Sequence, residues 1–137
     1  MSSDSDNAGN LWFGTKKELL YFQATKRRFT SFKNPFNAYP VQQVVCAGES
    51  IYLLYGNQQV YVFNTLTKRF LGLPKAFSAK QLFRGTRGVY AVSGEHRIYS
   101  LNKEKAPTIF LNAKRERCIV VFLSREKYCF FFQMKRG

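Results

Sequence analysis

Residues 44–64 read VVCAGESIYLLYGNQQVYVFN, and residues 82–102 read LFRGTRGVYAVSGEHRIYSLN. Laid over each other at a shift of 38, without a gap, they put Ile51 on Val89, Tyr52 on Tyr90, Leu54 on Val92 and Gly56 on Gly94. The match continues with Val60 on Ile98, Tyr61 on Tyr99, Phe63 on Leu101 and Asn64 on Asn102. Each stretch alternates apolar and polar residues in short runs around a Gly-containing turn, which is the pattern of an antiparallel hairpin. Gly56 is expected to supply the positive φ that a tight hairpin needs.

Working outward, a weaker copy lies upstream. Residues 11–14 (LWFG) resemble 53–56 (LLYG), residues 19–22 (LLYF) resemble 60–63 (VYVF), and Lys26-Arg27-Arg28-Phe29 matches Lys68-Arg69-Phe70 with one residue inserted. A fourth copy follows, with strands expected over 119–123 and 127–132 around the turn Ser124-Arg125-Glu126. Pro40, Pro74 and Pro107 are placed in connections between units, where a missing N–H costs least. A period of about 40 residues with three to four strands per unit is that of a propeller blade.

The expected fold is therefore all-β: three to four propeller-type blades of antiparallel strands, a partial or incomplete β-propeller, with a small β-sandwich or barrel as the alternative. A lone hairpin cannot bury its apolar face, whereas stacked sheets can. Propellers carry about four to eight blades, so the chain is expected to be a fragment, or to close with further blades or a second chain. Residues 1–10 (MSSDSDNAGN) read as a disordered polar tail, and residues 11–137 as the β-repeat domain.

Composition agrees with a packed domain: 137 residues, with 14 Phe and 8 Tyr to fill a core. No secretory signal or membrane-length apolar run is visible. Cys46, Cys118 and Cys129 are odd in number and irregularly spaced, which argues for reduced, buried thiols in an intracellular compartment, cytoplasmic or nuclear.

Val45-Cys46-Ala47-Gly48, Leu53-Leu54 and Val60-Tyr61-Val62-Phe63 together resemble the core of a repeat in the RCC1-like propeller family, and residues 82–101 follow the same outline. The resemblance covers about two units. It departs where the family has His (Ile51 or Val89 here) and where it has Trp-Gly (Phe63-Asn64 or Leu101-Asn102). It implies a propeller, and among its functions exchange-factor action on a small GTPase, chromatin binding or an adaptor role.

Catalytic chemistry finds little footing. His96 is the single histidine and falls in an expected turn; Asp4 and Asp6 are the only aspartates and fall in the expected tail. A Ser-His-Asp triad needs a positioned acid beside the histidine. A zinc site needs four ligands at characteristic spacing, which Cys46, His96, Cys118 and Cys129 lack. Residues 85–88 (GTRG) lack the lysine of a phosphate loop. The chain reads as a non-enzyme without a cofactor or metal.

The charge points elsewhere. Lys and Arg number 22 against 8 Asp and Glu, a net charge of +14. The recurring basic clusters make the candidate binding patch: Lys26, Arg27, Arg28, Lys33, Lys68, Arg69, Arg84, Arg87, Lys114, Arg115 and Arg117. Equivalent positions in a repeat array stack on one rim, so Lys26-Arg27-Arg28 and Lys68-Arg69 are expected to face the same way. Such a rim attracts phosphates of nucleic acid or anionic lipid, and Phe29, Phe32, Phe36 and Tyr39 are candidate platforms for unpaired bases. The leading functional expectation is a scaffold for protein–protein interaction in an intracellular complex or multidomain protein. The second is a basic nucleic-acid-binding module.

Overall fold

A computed structural model describes residues 2–35, 39–73, 77–85, 88–94, 97–102, 105–112, 118–123 and 126–131. The regular elements are all strands. Three four-stranded antiparallel sheets follow one another, each in sequence order. Sheet 1 holds β1 (Ser2–Ser5), β2 (Leu11–Gly14), β3 (Glu18–Gln23) and β4 (Arg28–Lys33). Sheet 2 holds β5 (Val41–Ala47), β6 (Ser50–Tyr55), β7 (Val60–Asn64) and β8 (Arg69–Gly72). Sheet 3 holds β9 (Gln81–Gly85), β10 (Gly88–Val92), β11 (Arg97–Asn102) and β12 (Lys105–Asn112). A hairpin of β13 (Cys118–Leu123) and β14 (Glu126–Phe131) completes the order, where the fourth copy was expected.

The internal repeat is visible in the hydrogen-bonding register. Ile51 pairs with Phe63 and Leu54 with Val60; 38 residues later Val89 pairs with Leu101 and Val92 with Ile98. Each sheet packs a face against the next, since alternate residues along a strand point to opposite faces. Between sheets 1 and 2 the layer is Trp12, Leu19, Val44, Cys46, Ile51, Leu53, Tyr55 and Phe63. Between sheets 2 and 3 it is Val45, Tyr52, Leu54, Val60, Val62, Leu82, Val89, Ala91 and Leu101. Sheet 2 is thus apolar on both faces, which explains why β6 is buried along its whole length.

The first strands lie side by side, β1 against β5, β5 against β9, and β9 against β13. Among the described residues no backbone ladder joins them, and side chains link β1 to β5 and β5 to β9 instead. The Ser2 hydroxyl accepts from the Val44 N–H (3.1 Å), and the Gln43 side-chain oxygen accepts from the Leu82 N–H (2.8 Å). Gln43 also donates its amide to the Leu82 carbonyl. The same tie is therefore made twice, one sheet apart.

Three expectations change. Residues 2–10 are not a tail: β1 pairs with β2 from Ser2↔Gly14 to Ser5↔Leu11. Asp6 then organises the turn, accepting from the N–H groups of Ala8 (3.0 Å) and Asn10 (2.9 Å). Polar Asp/Asn/Gly strings look alike in a tail and in a turn, and only the capped turn satisfies its backbone. Gly56 does not carry the positive φ of its hairpin; Gln58 does, at 66°. Gly56 is small because a Cβ there would stand 3.2 Å from Pro40 Cδ. Gly14 is small for a similar reason. It ends β2 inside the core, where a Cβ would meet Val41 Cβ at 2.8 Å and Val44 Cγ2 at 2.9 Å. Pro107 lies within β12 rather than in a connection; β12 is an edge strand, which tolerates proline. Pro74 lies outside the described residues.

Candidate basic rim and the groove at its foot

The β3–β4 turn and the β7–β8 turn have one conformation. Gln23 pairs with Arg28 and Asn64 with Arg69 to close them. The residue before each closing arginine is left-handed, Arg27 at φ 48° and Lys68 at φ 57°. In the second turn Asn64 accepts from the N–H groups of Leu66 (2.9 Å) and Thr67 (3.1 Å), and the Lys68 N–H bonds the Asn64 carbonyl (2.8 Å). Lys26, Arg27, Arg28, Lys68 and Arg69 are all exposed.

A groove of about 330 Å³ runs between sheets 1 and 2 at this end. Tyr21, Gln23, Thr30 and Phe32 line it from sheet 1, Gly48, Thr65 and Lys68 from sheet 2. Trp12 forms its floor, stacked on Tyr21 with ring centroids 4.4 Å apart. The Trp12 indole N–H donates to Asp6 at 3.3 Å. Burial pushes the Asp6 carboxyl up, but donors from Asn10, Trp12 and Ala8 outweigh it and hold it below its ordinary value. Burial and the Asp6 charge push the Tyr21 phenol up. A carboxylate fixed ionised beside aromatic rings, with cations at the lip, makes this groove amphipathic.

Arg84 is placed differently. It reaches back from β9 to Asp4 Oδ2 (3.1 Å) and to the Cys46 carbonyl (3.1 Å), so it ties three first strands together. Asp4 Oδ2 also accepts from the Cys46 N–H at 2.8 Å. The residue expected in the patch is mainly structural. Burial, followed by the Asp4 charge, pushes the Cys46 thiol up to about 12.

Lys33 is also set apart. It pairs with Glu18 at the opposite end of the β3–β4 ladder from Arg28. There it joins Lys16, Lys17 and Glu18 around a cavity of about 490 Å³. The buried Asn34 holds that corner, donating to the carbonyls of Lys16 (3.1 Å) and Tyr39 (3.3 Å). Lys16 and Lys17 adjoin in the sequence, but their meeting with Lys33 follows from the strand register. Arg87, Lys114, Arg115, Arg117, His96 and Phe36 lie outside the described residues. Phe29 and Tyr39 are exposed, whereas Phe32 packs on Phe63 with centroids 4.7 Å apart and belongs to the core layer.

Among the described residues no cluster of three His, Cys, Asp or Glu is placed to hold a metal ion. No helix of the described residues is long and apolar enough to cross a membrane. No protein-family model matches the chain, and no curated protein matches it.

Proposed function

We propose that this chain is a β-propeller-type scaffold whose work is to bind another protein. The observation that carries the reading is the doubled tie between first strands, Ser2 to Val44 and Gln43 to Leu82. Four-stranded meanders stacked with their first strands adjacent are how propeller blades surround an axis. Such an array presents turns of equivalent blades together on one rim, and here two equivalent turns carry Arg27-Arg28 and Lys68-Arg69. The test is affinity capture with the intact protein, with and without nuclease. A stoichiometric, nuclease-resistant protein complex is expected. A chain that recovers only nucleic acid, or nothing, overturns the reading.

A second reading, a polyanion-binding module, is favoured by the exposed cations that two turns of matching backbone geometry carry, Arg27-Arg28 and Lys68-Arg69. Titration of single-stranded RNA at several salt concentrations tests it. Phosphate contacts give affinity that falls steeply with salt, and negligible affinity at low salt removes this reading.

A further inference from the structure

The outer edges of the three sheets are equivalent in position but not in chemistry. An open sheet edge is a template for another strand unless it is blunted. β12 carries Pro107 and two register shifts. β8 has only four residues and ends in Gly72. β4 has six residues in unbroken register with β3 and no proline. Five of its six residues are exposed, and no strand among the described residues pairs with its outer side.

We infer that the outer edge of β4 is a strand-addition site for an extended acidic peptide of a partner protein. The backbone geometry fixes which groups are offered. The Asn34 N–H bonds the Lys17 carbonyl at 2.9 Å just beyond the β3–β4 ladder. Antiparallel pairs alternate between bonded and non-bonded, so Phe32, Thr30 and Arg28 turn their backbone groups to β3. Phe29, Ser31 and Lys33 turn theirs to the open edge.

Charge selects the occupant. Arg28 and Lys33 stand at the two ends of β4, and Lys26 and Arg27 lead into it. A second copy carries the same net charge of +14 and the same cations along this edge, so self-pairing would bring two strongly positive edges together, and that repulsion disfavours it. An incoming strand with carboxylates at positions i and i+5, about 17 Å apart, would meet both cations. Arg28 shares a face with Thr30 and Phe32, and Lys33 shares the other with Phe29 and Ser31, so the two carboxylates lie on opposite faces of the added strand. Phe29, 63% exposed and set against Phe22 at 4.7 Å between centroids, offers an apolar contact between the two charges.

The probe is a fluorescein-labelled peptide with the core Glu-Val-Thr-Val-Thr-Glu, titrated into the full chain by anisotropy. It is expected to bind at least about tenfold more tightly than the same peptide with Lys for Glu. Ser31→Pro removes an outward N–H at mid-strand while sparing the ladder to β3, and is expected to weaken binding about tenfold or more with the thermal midpoint nearly unchanged. Peptide methylated on alternate amide nitrogens, tested on the unaltered chain, is expected to lose affinity equally, and so holds the proposal to account even where Ser31→Pro fails to fold. Equal binding by parent and methylated peptides overturns the proposal in favour of charge alone. A dimer of the chain that Ser31→Pro dissociates overturns it in favour of self-pairing. The inference rests on the protein-interaction reading above, but the two fail separately: probe binding insensitive to backbone changes sinks this one, and absence of any protein complex alongside probe binding sinks the other.

Discussion

Arg84 Nη1 stands 3.1 Å from Asp4 Oδ2 across 80 residues of sequence, so the third sheet is clamped to the first over the backbone of the second. The two side chains remain 47% and 23% exposed, and an ion pair in that setting contributes about 1 kcal/mol or less. Asp4 does more, because it also satisfies the N–H of buried Cys46. Leaving a buried donor unpaired costs about 1–3 kcal/mol. Asp4→Ala is therefore expected to destabilise more than Arg84→Ala in urea unfolding, and the reverse order would refute this division of roles.

The close approach of Gly14 to β5 predicts a second ordering. A Cβ at Gly14 would meet Val41 and Val44, and overpacking a core costs about 1–3 kcal/mol. A Cβ at Gly48 meets nothing, but its φ of +59° costs an L-residue about 1–2 kcal/mol. Gly14→Ser should cost more than Gly14→Ala, since the first enlarges a clash, whereas Gly48→Asn should cost less than Gly48→Ala, since Asn tolerates the left-handed region. Equal losses at all four would contradict the geometry.

The left-handed turns make a prediction of opposite sign. Arg27 and Lys68 hold a conformation that glycine adopts without penalty. Arg27→Gly and Lys68→Gly are expected to leave stability unchanged or to raise it by up to about 1 kcal/mol, while Lys68→Val lowers it. Calorimetric unfolding of the three variants decides. A fall of both glycine variants below the parent would mean that the cations hold the fold rather than a ligand.

Alkaline pH should loosen the molecule. The Cys46 thiol is raised from 9.0 to about 12, with burial the main cause, and burial also pushes the Tyr55 phenol up. Both groups bind their protons more tightly folded than unfolded. The Cys46 contribution is complete below pH 9 and is lost as pH climbs from 9 toward 12, and that of Tyr55 is complete below pH 10 and is lost above it. Denaturant midpoints should fall over that range, and mass mapping should find Cys46 unalkylated at pH 8 until the chain is unfolded. Rapid native alkylation of Cys46 would place it at the surface.

Much of the architecture is legible in the sequence itself. The shift of 38 between residues 44–64 and 82–102 recovers the pairing register of sheets 2 and 3, because turn residues and alternating apolar positions fix register locally. Sheet 1 was harder. Its first strand, Ser2–Ser5, contains no apolar residue, so hydrophobic patterning could not reveal it. It is held by its ladder to β2 and, non-locally, by contacts to Val44 and Cys46. The basic site was legible only in part. Lys26-Arg27-Arg28 and Lys68-Arg69 share a turn geometry as their spacing implied, but Lys33 went to the opposite end and Arg84 became a clamp, since strand direction and a partner 80 residues away do not show in a charge count.

Among the described residues the ties between first strands run from each sheet to its neighbour, with Arg84 reaching one sheet further to Asp4. Cooperativity should then behave like that of a chain of dominoes. Damage inside sheet 2, which shares both apolar layers, would strand the sheets on either side at once, whereas fraying of β13–β14 could proceed without disturbing Trp12. Hydrogen-exchange protection graded along the molecule, highest at β6 and falling toward both ends, is the signature such a linear array would leave.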